Sequence, residues 1–104
     1  MMDNSSTRTE AILATIAAIP KGRLSTYGHI AQAAGYSGNA RLVGQILKQL
    51  PSDSSIPWFR VINAQGKISF PESSEHYLSQ KNALMAEGHP ALIGKSHLSK
   101  KLWP

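Results

Sequence analysis

A chain of 104 residues is expected to form one domain, residues 1–104, around one modest core. Its hydrophobic fraction of 41% is ordinary for a globular protein, and no apolar run approaches the ~18 residues of a membrane span. The complete lack of cysteine excludes disulfides, thiolate metal sites and a cysteine nucleophile. Eleven basic against six acidic residues give a net charge of +5, which suggests a polyanionic partner. The distribution is more telling than the sum. From Ala11 to Ser52 there is no acidic residue, while Lys21, Arg23, Arg41 and Lys48 fall within it. A second basic group, Lys95, His97, Lys100 and Lys101, lies in the tail. Met1 to Ser6 has no basic stretch followed by an apolar one, so no secretory signal is visible and a cytoplasmic location is the default expectation.

A first helix is expected to start near Thr7, because Thr7-Arg8-Thr9-Glu10 fits a capping box. Ile12, Ile16 and Ile19 recur at helical spacing and predict one buried stripe, and Pro20 ends the helix. Ser25-Thr26 offers a cap for a short second helix over Tyr27–Ala34, and Gly35 suits its left-handed end. The turn Ser37-Gly38-Asn39 leads into a third helix, Asn39–Leu50, stopped by Pro51. Two helices joined through a few residues containing glycine make a helix-turn-helix pattern. The third helix divides cleanly. Val43, Ile46, Leu47 and Leu50 form an apolar stripe, whereas Ala40, Arg41, Gly44, Gln45 and Lys48 form a small, basic face without a carboxylate. Such a face suits close approach to a phosphate backbone. Gly44 supports this, since a mid-helix glycine costs ~1 kcal/mol relative to alanine.

Pro51–Ser55 reads as a polar loop into Ile56-Pro57-Trp58-Phe59-Arg60-Val61. Val61-Ile62-Asn63 and Lys67–Phe70 are expected to pair as a short β-hairpin about Ala64-Gln65-Gly66, in the manner of a wing. Ser73 or Ser74 caps a fourth helix that ends at Glu87-Gly88. His29, His76, His89 and His97 lack ligand spacing, so neither a metal nor a cofactor is expected.

Five segments, in order, carry a resemblance: Ile19-Pro20-Lys21-Gly22, Thr26-Tyr27-Gly28-His29-Ile30-Ala31, Ala40-Arg41-Leu42-Val43-Gly44, Ile56-Pro57-x-x-Arg60-Val61-Ile62, and Glu87-Gly88. From about residue 9 to 88 the chain resembles the DNA-binding C-terminal domain of the O6-alkylguanine-DNA alkyltransferases, leaving a basic tail over 89–104. The resemblance implies a mainly α fold with a short β-hairpin, a winged-helix-like helix-turn-helix domain. In that family Pro-Cys-His-Arg-Val carries the acceptor thiol and its base. Here Trp58 stands at the thiol position and Phe59 at the base position, with Glu87 where the family keeps the supporting carboxylate. An indole is no comparable nucleophile and a phenyl ring accepts no proton. The pattern is similar to the alkyltransferase-like proteins, which replace the cysteine, commonly by tryptophan.

That likeness implies a non-enzymatic protein that binds O6-alkylguanine in double-stranded DNA by nucleotide flipping, flags it for nucleotide excision repair and blocks alkyltransferase action on it. It further implies a monomer with no membrane partner. Arg41 would enter the base stack, Tyr27 would turn the 3′ phosphate, and Ala40, Gly44, Gln45 and Lys48 would lie along a minor groove. Tyr27, Pro57, Trp58, Val61 and Ser69 would line the lesion pocket, while Arg60 and Glu87 would support the motif. Two departures stand out: relatives keep His at Phe59, and an Asn at Leu50. Two other readings stay open, a helix-turn-helix transcription regulator and a residual alkyltransferase using another acceptor such as Glu87.

Overall fold

The computed structural model describes residues 4–51 and 53–104; Met1 to Asp3, and Ser52 of the expected Pro51–Ser55 loop, lie outside the described residues. Among the described residues there are five helices: α1 (Asn4–Ala17), α2 (Tyr27–Ala33), α3 (Ala40–Lys48), α4 (Glu75–Ala86) and α5 (Gly94–Lys101). Between them lie two-residue strands, β1 (Ser25–Thr26) and β2 (Val61–Ile62), and a single 3-10 turn over Trp58–Arg60.

The local signals act through identifiable atoms. Thr26 caps α2, its hydroxyl accepting from the His29 amide at 3.1 Å, and Ser74 caps α4 by accepting from the Tyr77 amide at 3.1 Å. Gly35 and Gly88 follow α2 and α4 at φ of 91° and 95°, the left-handed conformation that lets a helix end sharply. Asn39 precedes α3 without a side-chain cap bond, because its amide instead donates to the Tyr36 carbonyl at 2.9 Å and closes the turn after α2. Helix α1 begins at Asn4, a turn before the expected Thr7.

Two apolar clusters form the interior. In the first, Ile12, Ile16 and Ile19 meet Ile30 and Ala31 of α2, Val43 and Ile46 of α3, and Val61. The second gathers Leu24, Ile62, Leu84 of α4 and Leu98 of α5. Val61 and Ile62 are neighbours on one strand, so their side chains point to opposite faces and join different clusters. The strand is thus the seam between the helix-turn-helix half and the C-terminal half.

The strand pairing corrects the hairpin expectation. β1 and β2 pair in parallel, Ser25 with Val61 and Thr26 with Ile62, and Lys67–Phe70 is not a strand. The cause is local. The Asn63 side-chain oxygen accepts from the amides of Gln65 and Lys67 at 3.0 and 2.9 Å, so a tight side-chain-held turn takes donors that a ladder would use. The Gly66 carbonyl accepts from the Gly94 amide at 2.9 Å, and a Cβ on Gly66 would overlap the Gly94 backbone. The tail, which shows little pattern in sequence, is therefore tied down. Leu24 donates to Lys101 at 3.0 Å, Trp103 donates back to Leu24 at 2.8 Å, and Trp103 packs on the first cluster.

Candidate nucleic-acid interface

The 3-10 turn Trp58–Arg60 sends three consecutive side chains to three surroundings. Pro57 precedes it as the N-terminal cap, and Val61 closes it by donating to the Trp58 carbonyl. Arg60 points inward. Its Nε donates to both Glu87 carboxylate oxygens at 3.0 and 3.1 Å, its Nη2 to Glu87 Oε2 at 2.5 Å, and its Nη1 to the Ile19 carbonyl at 2.8 Å. The Gly22 amide donates to the same carboxylate at 3.1 Å. One ion pair therefore joins the end of α4, the α1–β1 connection and the motif, with side chains only 15% and 8% exposed. Burial alone would raise the Glu87 pKa, but the hydrogen bonds from Arg60 and Gly22 and the charge of Arg60 outweigh it and hold the carboxyl below its usual range.

Phe59 faces the second cluster, half-buried against it, with the Arg60 guanidinium 5.2 Å from its ring centroid. It fills space between the two halves and offers no atom that takes a proton. Trp58 turns outward. Its ring makes edge contacts with Phe59 at 6.1 Å and Phe70 at 6.2 Å, and Phe70 stacks on His76 at 5.1 Å.

In front of Trp58 lies a cavity of about 660 Å³. Its size falls within the range of pockets that hold a small organic group. Helix α3 supplies one wall through Ala40, Arg41, Gly44, Gln45, Leu47 and Lys48; Tyr27 of α2 stands beside it. Trp58, Val61, Ser69, Phe70 and Pro71 form the facing wall, and Gln80 of α4 completes the lining. Two cations and no carboxylate line it, so an anionic or electron-rich guest is favoured. The expected pocket and helix-face residues Tyr27, Ala40, Arg41, Gly44, Gln45, Lys48, Trp58, Val61 and Ser69 thus meet around one space. Pro57 does not line it; as the cap of the turn it sets the angle at which Trp58 leaves the backbone. Arg41, Gln45 and Lys48 are exposed, whereas Val43 and Ile46 of the same helix are buried. No side chain touches the space a Cβ would take on Gly44, so packing within the chain does not explain that glycine.

Sequence reasoning missed Gln80. It is buried to 1% exposure and donates from its side-chain amide to the carbonyls of Phe59 and Val61 at 3.0 and 2.9 Å. Its position four residues before Leu84, on the buried stripe of α4, is the one signal that would have found it. Among the described residues no group of three or more His, Asp or Glu is placed to hold a metal ion.

The chain's likenesses agree with this geometry. The family described as 6-O-methylguanine DNA methyltransferase, DNA binding domain, matches residues 7–89. A DNA base-flipping protein of Vibrio parahaemolyticus serotype O3:K6 (strain AQ3810) is 53% identical over 93 residues, 88% of this chain and 91% of that protein. Alkyltransferase-like protein 1 of Schizosaccharomyces pombe is 46% identical over 70 residues, 67% of this chain and 65% of that protein. The solved structure of the S. pombe protein in complex with damaged DNA containing O6-carboxymethylguanine superposes with a TM-score of 0.82 at 34% identity, covering 100% of this chain and 99% of that one. The Mycobacterium tuberculosis O6-methylguanine methyltransferase bound to DNA superposes with a TM-score of 0.62 at 29% identity, over 93% of this chain but 52% of the enzyme.

Proposed function

The chain belongs to the family of the 6-O-methylguanine DNA methyltransferase DNA-binding domain, and on that premise we propose that it binds O6-alkylguanine in duplex DNA by flipping the nucleotide, without transferring the alkyl group. The observation that carries the proposal is the cavity between the basic face of α3 and Trp58 in a chain with no cysteine. Relatives bearing the base-flipping name, and the S. pombe structure with a damaged duplex, support it.

Helix α3 lies along the minor groove, where Ala40 and Gly44 permit close approach and Lys48 meets phosphate. Arg41 enters the stack and fills the gap that the base leaves; a planar, permanently charged guanidinium suits that place. Tyr27, at the start of α2 beside the cavity, turns the phosphate. Unpairing and unstacking a base cost a few kcal/mol, less for a weakly paired lesion, and this difference contributes to selection. The cavity then receives the base, with Trp58 and Val61 against its alkyl group. Methyl transfer needs a thiolate, a base and a carboxylate to orient it. Only Glu87 of that set is present, and it is committed to Arg60 and the Gly22 amide.

A lesion held but not repaired becomes a flag. We therefore assign the chain, as a monomer in the cytoplasm, to presenting O6-alkylguanine to nucleotide excision repair. The test is titration by fluorescence anisotropy with two duplexes that differ only by one O6-methylguanine. A preference of at least about tenfold for the lesion, roughly 1.4 kcal/mol, is expected; equal affinity would overturn the proposal in favour of a sequence-reading regulator.

A further inference from the structure

A second basic surface lies away from the cavity. Lys21, Arg23, Lys100 and Lys101 take no part in the cavity lining. The backbone brings their two segments together. The Leu24 amide donates to the Lys101 carbonyl at 3.0 Å, Arg23 Nη2 donates to the Leu102 carbonyl at 2.9 Å, and Leu24 and Leu102 form a parallel bridge. Gly22, between two of these cations, donates to Glu87, while His89, two residues beyond Glu87, is hydrogen-bonded to His97 of α5. The surface thus lies behind the Arg60–Glu87 pair. Lys21, Arg23 and Lys100 are exposed and Lys101 is half-buried, and none of them forms an ion pair among the described residues. Glu87 cannot neutralise them, because its side chain is 8% exposed and committed to Arg60. The histidines register the imbalance. Burial lowers both pKa values; Lys101 and Lys100 lower that of His97 further, and His97 and Lys101 lower that of His89, opposed by Glu87.

We propose that Lys21, Arg23, Lys100 and Lys101 form a docking surface for a carboxylate-rich segment of a repair protein, engaged while α3 holds the lesion duplex. The proposal rests on the reading of the chain as a flag for lesions, and it names the chemistry that the partner brings. Like charges fixed side by side repel, and an anionic partner relieves that repulsion. The duplex held at α3 cannot be that partner. The molecule measures 46 × 27 × 21 Å, and DNA with a persistence length of about 500 Å does not curl round so small a body. A further duplex is a poorer match than a protein segment. Its phosphates lie along a stiff rod that meets a compact cluster at few points, whereas a flexible acidic segment converges on it. A flag must also be read without being covered. A surface that shares no residue with the cavity lining meets that need.

The experiment titrates octaglutamate, at about 50 mM salt, into the isotope-labelled full chain already bound to an O6-methylguanine duplex, and follows the backbone amides by NMR. Shifts should be confined to residues 21–24 and 97–102 and leave α3 untouched. Lys100→Gln/Lys101→Gln should weaken the peptide by about fivefold, as expected for the loss of two exposed ion pairs. The same variant should keep its affinity for the lesion duplex within about twofold. Lys81→Gln/Lys95→Gln removes the same charge from α4 and the start of α5, and should weaken the peptide by less than about twofold. The spectra also show that each variant is folded. Shifts centred on α3, or full peptide affinity in Lys100→Gln/Lys101→Gln, would overturn the proposal. So would an equal loss in Lys81→Gln/Lys95→Gln, since the attraction would then be one of net charge. A matching loss of lesion-duplex affinity in Lys100→Gln/Lys101→Gln would assign the surface to phosphate and overturn it too. Failure of the lesion-flag reading looks different: the wild-type chain would bind guanine and O6-methylguanine duplexes equally, whatever the peptide does.

Discussion

The two sides of the turn Trp58–Arg60 are built from opposite materials. Behind it, Arg60 and Glu87 are largely buried and joined by three hydrogen bonds, with further bonds to Ile19 and Gly22. In front of it, Arg41, Gln45 and Lys48 stand exposed around a cavity. The rear is organised to hold a shape, and the front is left free to meet something else. The difference teaches that loss of the acceptor thiol need not loosen a site. The turn that once presented a nucleophile in this family is still fixed from behind, and a Trp now fills the presented position.

The largest expected effect tests the rear. Arg60→Ala strands a mostly buried carboxylate and should lower stability by about 3–5 kcal/mol, measured by urea unfolding. A loss within ~0.5 kcal/mol would remove the distinction between the two sides. Arg41→Ala should do the reverse. Anisotropy should show lesion binding weakened by roughly 1–3 kcal/mol, while the melting temperature stays unchanged, as expected for an exposed side chain. A drop in both would mean that the front is structural too.

Acid should separate the two C-terminal ionisable groups. His89 Nδ1 and His97 Nε2 lie 2.7 Å apart, and one must donate to the other. Burial pulls both pKa values down, helped for His89 by His97 and Lys101 and opposed by Glu87, and for His97 by Lys101 and Lys100. The unfolded chain therefore binds more protons below the ordinary histidine value of about 6.5, so stability falls as pH drops through that range. Glu87, also depressed, adds a second fall below about 4.3, where the unfolded chain takes up a proton that the folded carboxylate resists. Melting curves from pH 8 to 3 should show the first decline flattened in His97→Gln and the second preserved. The smallest effect concerns Gly44. Space is open around it, so Gly44→Ala should raise stability by up to about 1 kcal/mol while weakening DNA binding. Gain without loss would show that the helix needs no close approach there.

What could be read in advance follows from the range of the interactions. Thr26 and Ser74 cap their helices through amides three residues away, and the isoleucine stripe of α1 repeats within one helix, so both were legible. That Tyr27, Arg41, Trp58 and Val61 would meet around one cavity was legible because each falls in a segment that carries the family resemblance. The parallel pairing of β1 with β2 was not. It joins residues 36 positions apart, as Ser25 with Val61, through strands too short to show a period of two. Helix α5 was hidden because Leu98 is the one buried side chain on it and the rest of the helix is glycine, basic or polar. Gln80 was hidden for a related reason: a polar residue in an apolar stripe declares nothing until the Phe59 and Val61 carbonyls are seen beside it.

Trp58 remains the centre of the account, a wall in place of a nucleophile. Native mass spectrometry of the chain mixed with an O6-methylguanine duplex tests this most directly, because it reads association and transfer at once. The predicted result is one protein bound per duplex, with both masses unchanged after prolonged incubation. A protein heavier by one methylene group, with a duplex lighter by the same amount, would contradict it.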